Sequence, residues 1–208
     1  MHRIVLCLGL AALLLPVHVA RGQAARSGAG RGAEAPVIRL KQLTGTGRRA
    51  MVRTPEYETN VGRTGGASAE WARILVEYES YPEWIDELTF RYTVMALKED
   101  RDGNRYSVYK LSVRYIDIDE DRDHKSTVFL HPNAVRRYGD IVAVAVEVVH
   151  EGNVIARLSE EDVKLPEDWW QNSSVLESDK VTVRDGYLLD RSKSPFALIN
   201  IDEYEVIR

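Results

Sequence analysis

The sequence predicts an all-β chain folded as a β-sandwich of eight to ten short strands with little helix. Three observations predict it. Apolar and polar residues alternate with a period of two over the long segments 71–79, 88–97 and 105–118, the signature of strands with one face on a core. Turn signals such as Asp102-Gly103-Asn104 and Glu151-Gly152-Asn153 punctuate the chain about every 8–12 residues. No long segment keeps the i, i+3, i+4 pattern of an amphipathic helix.

In chain order, residues 1–24 read as a secretory signal peptide: His2 and Arg3 open it, residues 4–15 are apolar, Pro16 ends the run, and Gly22-Gln23-Ala24 offers small residues for cleavage. The apolar run is shorter than the roughly 20 residues a membrane span needs, and no transmembrane segment is expected elsewhere. Residues 25–35 (ARSGAGRGAEA) have nothing to bury and read as a flexible leader. Residues 36–208 are expected to form one β-sandwich domain.

Within it, residues 37–43 and 48–57 are the first two candidate strands, able to pair in cis or with a partner in trans. Residues 60–68 (NVGRTGGAS) are a loop. In 71–79 one face is Ala72, Ile74, Val76 and Tyr78. In 88–97 it is Leu88, Phe90, Tyr92, Val94 and Ala96. In 105–118 it is Tyr109, Leu111, Val113 and Tyr115, against Lys110, Ser112 and Arg114. A short strand at 125–130 is broken by His131-Pro132, and 133–138 makes a helical turn. Residues 141–149 are almost wholly apolar and Val-rich, as in a strand buried on both faces. Residues 154–158 pair back. A long connection at 165–174 leads to the last candidates, 181–183, 187–189 and 196–207.

Composition excludes several functions. The formal net charge is −4, without the basic footprint of a general nucleic-acid binder. The single cysteine, Cys7, lies in the signal peptide, so the mature chain has no disulfide, thiolate metal site or Cys nucleophile. No HExxH or GxSxG occurs, and no catalytic residue or cofactor is assigned. The acidic run from Asp117 through Asp119, Asp121 and Asp123 lacks the turn glycine and terminal glutamate of a calcium loop. It reads as a solvated inter-strand loop, and no metal is expected. His124, His131 and His150 lack ligand spacing. Gly62, Gly65 and Gly66 with Arg63 lack the P-loop pattern. Trp84 reads as a plug between strands. Trp169 and Trp170 are the candidate binding residues: exposed, they would stack on a sugar or fill a partner's pocket; buried, they would cap the sandwich.

Residues 71–78 (WARILVEY), 81–88 (YPEWIDEL) and Phe90-Arg91-Tyr92, with Leu165-Pro166 and Trp169-Trp170 downstream, resemble secreted bacterial proteins of immunoglobulin-like fold encoded beside type IV pilus machinery. The resemblance covers about residues 37–208. It implies an immunoglobulin-like β-sandwich without the cysteine pair of antibody domains. It also implies an exported, non-enzymatic component of pilus assembly or of the cell surface, placed in the periplasm, on the surface or secreted. The expected partner is a protein of the envelope, with a pilus component among the candidates; nucleic acid is not expected, and the sequence leaves the oligomeric state open. The competing expectations are a carbohydrate- or ligand-binding sandwich using Trp169 and Trp170, and a hydrolase whose site no motif marks.

Overall fold

The computed structural model describes residues 37–56, 58–59, 62–63, 68–101, 103–200 and 203–208. The expected signal peptide and leader, and most of the 60–68 loop, lie outside the described residues. Two sheets pack face to face as the predicted β-sandwich. The first has the order β1 (Ile38–Thr44), β5 (Glu70–Ser80), β8 (His124–Leu130), β12 (Leu188–Asp190), with β2 (Met51–Arg53) also on β5. The second has the order β10 (Asn153–Glu161), β9 (Asp140–His150), β6 (Trp84–Lys98), β7 (Arg105–Asp119), β11 (Val181–Val183), with β13 (Val206–Ile207) also on β7. A two-stranded pair, β3 (Glu58–Thr59) and β4 (Gly62–Arg63), stands apart. The short helices are α1 (Pro132–Tyr138) and α2 (Ser173–Leu176).

The alternation seen in the sequence builds the core. Ile74, Val76 and Tyr78 of β5 face Leu88, Phe90, Tyr92 and Val94 of β6, Tyr109, Val113 and Tyr115 of β7, and Val144, Val146 and Val148 of β9, all buried in one cluster. A polar bridge crosses this core. Ser126 Oγ on β8 lies 2.6 Å from Tyr92 Oη and donates to Tyr115 Oη at 2.9 Å. Burial pushes both phenols up, Tyr115 to about 12, so they remain neutral hydroxyls that join the two sheets.

The β6–β7 hairpin is longer than the short strands expected, with 15 residues in each strand. It pairs from Trp84 with Asp119 at one end to Lys98 with Arg105 at the other. Near the first end the inward set changes phase: Ile85 and Ile118 are buried although each sits three residues from Leu88 and Tyr115. Asp117, at φ 56°, makes the change, in a region where Asp is tolerated better than most side chains.

Both outer faces are partly covered. Trp169 and Trp170 pack with Met95, Val108, Ala143 and Ala145 on the outside of the larger sheet, which is why β9 is apolar on both faces. Phe196 stacks on Phe129 at 4.3 Å on the outside of the smaller sheet and meets Trp71 edge-on.

Two segments depart from expectation. Residues 48–57 do not form one strand: Gly47 at φ 63° leads into a 3₁₀ turn over Arg48–Ala50, and only Met51–Arg53 pairs. The first two strands pair in cis, both with β5. Among the described residues of 196–207, Val206–Ile207 alone form a strand. Buried Arg191 donates to the carbonyls of Ala197 and Ile199 and lies over the Tyr204 ring, so a side chain satisfies backbone acceptors that a ladder would otherwise take. Among the described residues no helix is long and apolar enough to cross a membrane.

Candidate functional site

The turn between β5 and β6, the end of β7, the start of β8 and the C-terminal segment meet at one end of the sandwich. Ladder pairing brings them there: Tyr78 lies opposite His124, Trp84 opposite Asp119, and Val206 opposite Ile116. The loop after β7 is stitched to the turn by Ser80 N donating to Asp121 O and Glu120 N to Glu83 O.

His124 is the centre of this end. Its imidazole is buried and stacks on Tyr78 at 4.9 Å. Nδ1 lies 2.5 Å from Glu205 Oε1, and Nε2 lies 2.8 Å from Ser80 Oγ and 3.1 Å from Asp119 O. Ser80 Oγ donates to Asp119 O at 2.5 Å and accepts from Asp121 N at 3.1 Å. The hydroxyl proton is therefore committed to a carbonyl, and both remaining acceptor positions face N–H groups. Both ring nitrogens of His124 face acceptors, which suits the imidazolium. Burial opposes that charge, but the hydrogen bond and charge of Glu205, helped by the Asp119 carbonyl, raise the His124 pKa above its ordinary value.

Serine, histidine and carboxylate thus line up as in a hydrolytic triad, but with the polarity reversed. A general base must accept the serine proton; here the ring points an N–H at the serine oxygen. Ser80 is only 3% exposed, so a substrate carbonyl has no approach to it. The chemistry available is that of a tether holding the C-terminal segment. Asp119, His124 and Glu205 also bring one ligand atom each to within 4.8 Å of one another, a nitrogen–oxygen donor set of the kind that suits divalent transition metals. A metal there would have to displace the His124–Glu205 hydrogen bond.

Outside this buried network is an acidic groove of about 500 Å³, lined by Asp117, Asp119, Asp121, Asp123, Glu203 and Glu205 with Lys125 and Trp84. Lys125 is engaged by Glu203 at 2.7 Å and Asp123 by Lys41 at 3.3 Å. Asp117 and Asp119 belong to β7 rather than to a loop. Trp84 is 61% exposed, which corrects its reading as a plug: it begins β6 at the sheet's end, where its side chain projects from the sandwich. Its other side borders a second groove, of about 460 Å³, where Val37, Pro82, Ile85 and Val149 alternate with Asp86, Glu87, His150 and Glu151.

The two tryptophans singled out from the sequence lie elsewhere. Trp169 and Trp170 are 0% and 9% exposed and meet edge-on at 6.0 Å. Trp169 Nε1 donates to Glu161 at 3.1 Å. Neither ring presents an open face for stacking, and they cover a sheet face rather than an end of the sandwich. His131 meets Trp71 edge-on and caps α1 by accepting from Asn133 N; His150 Nδ1 lies 3.3 Å from Glu87 O. Ser80, Glu205 and the exposure of Trp84 escaped the sequence reading. Ser80 and Glu205 are 44 and 81 residues from His124, and no local pattern announces such a meeting.

The fold is similar to that of a protein from Akkermansia muciniphila known from a crystal structure, with a TM-score of 0.67 and 22% identity over 82% of this chain and 92% of that chain. No curated protein matches. A family model matches residues 45–208, from the end of β1 through the last strand, and the chain belongs to that family of β-sandwich proteins.

Proposed function

We propose that this chain is an exported, non-enzymatic interaction protein of the bacterial envelope, working in a pilus-linked setting, and that it grips a protein partner at the Trp84 end of the sandwich. One observation carries the reading: a tryptophan 61% exposed stands between two grooves at the end of the sandwich, one of them strongly acidic, as an anchor stands in a contact surface. The partner that fits it presents an apolar pocket for the indole and basic side chains for Asp117, Asp119 and Asp121. The closed geometry of Ser80 and His124 supports the absence of turnover. Export rests on the features of residues 1–24, and the pilus setting on the resemblance carried by residues 71–92.

The test is capture from the native envelope by the wild-type chain and by Trp84→Ala, followed by reconstitution with the purified partner. The indole is mostly in solvent, so the variant should keep its melting temperature while losing the partner. A pilus assembly protein on the wild-type chain supports the setting as well. Equal capture by both chains would refute the site. Hydrolysis of a glycan, peptide or ester, removed by one His or Asp substitution without a change in fold, would refute the non-enzymatic reading.

A further inference from the structure

The opposite end of the β6–β7 hairpin has the opposite charge. Trp84 and Lys98 are 14 residues apart on β6, about 45 Å at strand rise. Around Lys98 lies a second groove, of about 580 Å³. Among the described residues it gathers Lys98, Arg105, Arg137, Lys180 and Arg184 against two carboxylates, Asp100 and Asp179, in a chain whose formal net charge is −4. None of the five cations makes an ion pair with a carboxylate among the described residues.

Arg184 is the organised member. Its backbone N–H closes the end of β11 on Val108 O at 2.9 Å. Its guanidinium carbon stands 3.8 Å from the centre of the Tyr138 ring, at the end of α1. Its Nε donates to Ser107 Oγ at 3.0 Å. Stacking fixes the plane of the guanidinium, and the Nε bond fixes its rotation within that plane. Of its five N–H donors, the four on the two Nη atoms have no protein acceptor among the described residues. A planar, oriented, unused pair of Nη groups is the fork that matches two oxygens of a phosphate or carboxylate. Surface cations usually lose this arrangement to side-chain entropy; here the ring and the serine have already ordered it.

We propose that this groove binds a multivalent oxyanion, with Arg184 gripping one oxyanion group bidentately and Lys98, Arg105 and Lys180 neutralising the rest of its charge. A monoanion would leave most of that positive charge unbalanced, and a single exposed ion pair contributes little, so charge density on the ligand decides affinity. Phosphoryl and carboxylate ligands share the required chemistry, and the probes distinguish them. The site is separate from the Trp84 end and does not depend on the function proposed for it.

The test titrates the full chain with pyrophosphate, citrate and acetate at low and physiological salt, following backbone amide shifts. Pyrophosphate or citrate should shift Tyr106, Ser107 and Lys180–Arg184 saturably, with acetate far weaker and the affinity falling as salt rises. Saturation by one multivalent anion alone names the source as phosphoryl or carboxylate. Arg184→Gln should weaken binding by about tenfold or more, the cost of a charge-assisted pair. Arg184→Lys should restore only part of it, because the charge returns without the fork. Arg105→Gln, on an exposed side chain, should weaken binding a few-fold, and Arg39→Gln, remote on β1, should leave it unchanged. The proposal is overturned if no multivalent anion saturates at millimolar concentration. It is equally overturned if Arg39→Gln matches Arg184→Gln, since binding would then follow net charge alone.

Discussion

Ser80→Ala separates a tether from a nucleophile. The hydroxyl makes three contacts: to Asp119 O at 2.5 Å, from Asp121 N at 3.1 Å, and with His124 Nε2 at 2.8 Å. Removing it leaves Asp121 N–H without that acceptor and leaves His124 Nε2 with the Asp119 carbonyl alone at 3.1 Å. Asp121 is exposed, so water can replace one contact, while the buried imidazole and carbonyl are not rescued in that way. Two net hydrogen bonds at about 0.5–1.5 kcal/mol each give a loss of about 1–3 kcal/mol. For a domain of this size each kcal/mol lowers the melting temperature by about 2–4 °C. Equilibrium urea unfolding should show a lower midpoint with an unchanged slope. A variant as stable as the wild type would refute the tethering argument, and one that also lost a hydrolytic activity would make Ser80 a nucleophile.

The pH dependence has a definite sign. The folded pKa of His124 is raised above its unfolded value near 6.5, so its contribution is complete below that value and is lost as pH rises through the folded pKa. Tyr78, Ser80, Asp119, Asp121 and Glu205 surround the ring, and His124→Gln should flatten this part of the stability profile in urea titrations between about pH 6 and pH 9. Ser126→Ala should cost about 1–3 kcal/mol by orphaning a buried tyrosine hydroxyl, more than Tyr92→Phe, which removes the hydroxyl itself; a double-mutant cycle read by urea unfolding checks the order. Gly139→Ala should prevent folding, or cost about 3–5 kcal/mol, because a Cβ there would sit 1.8 Å from Leu97 O at φ +93°; circular dichroism decides it. Deleting residues 37–57 should unfold the domain rather than free a binding arm, since β1 and β2 both pair with β5 and bring Ile38 and Leu43 to the core; limited proteolysis would reveal any folded remnant.

The strands of the sandwich were legible because their alternation is a local signal: Ile74, Val76 and Tyr78, or Leu88, Phe90 and Tyr92, report a buried face within a few residues. The same signal misled at 196–207, where apolar Phe196 and Ile199 suggested a strand but Arg191 takes the carbonyls that a neighbouring strand would have bonded. The position of Trp169 and Trp170 was open for a related reason. A period of two says which residues leave a sheet's inner face, not that a second layer will cover its outer one. The candidate site was the least legible part. Its charge was plain in the acidic run, but the surroundings of His124 depend on a serine at the end of β5 and a glutamate just before β13, both far away in sequence.

The acidic groove also has a condition built into it. One wall, Glu203 and Glu205, belongs to the C-terminal segment, which is held by the two-residue strand β13, by Glu205 on His124, by Glu203 on Lys125 and by Arg208 on Glu87. The groove is complete only while that segment is docked. Occupancy and docking are then thermodynamically linked: whatever binds the groove holds the tail down, and by reciprocity whatever loosens the tail weakens binding by the same factor. Deprotonating His124 takes the charge out of one of these holds and weakens it, so ligand affinity at this end and exchange protection of the last residues should fall together as pH rises.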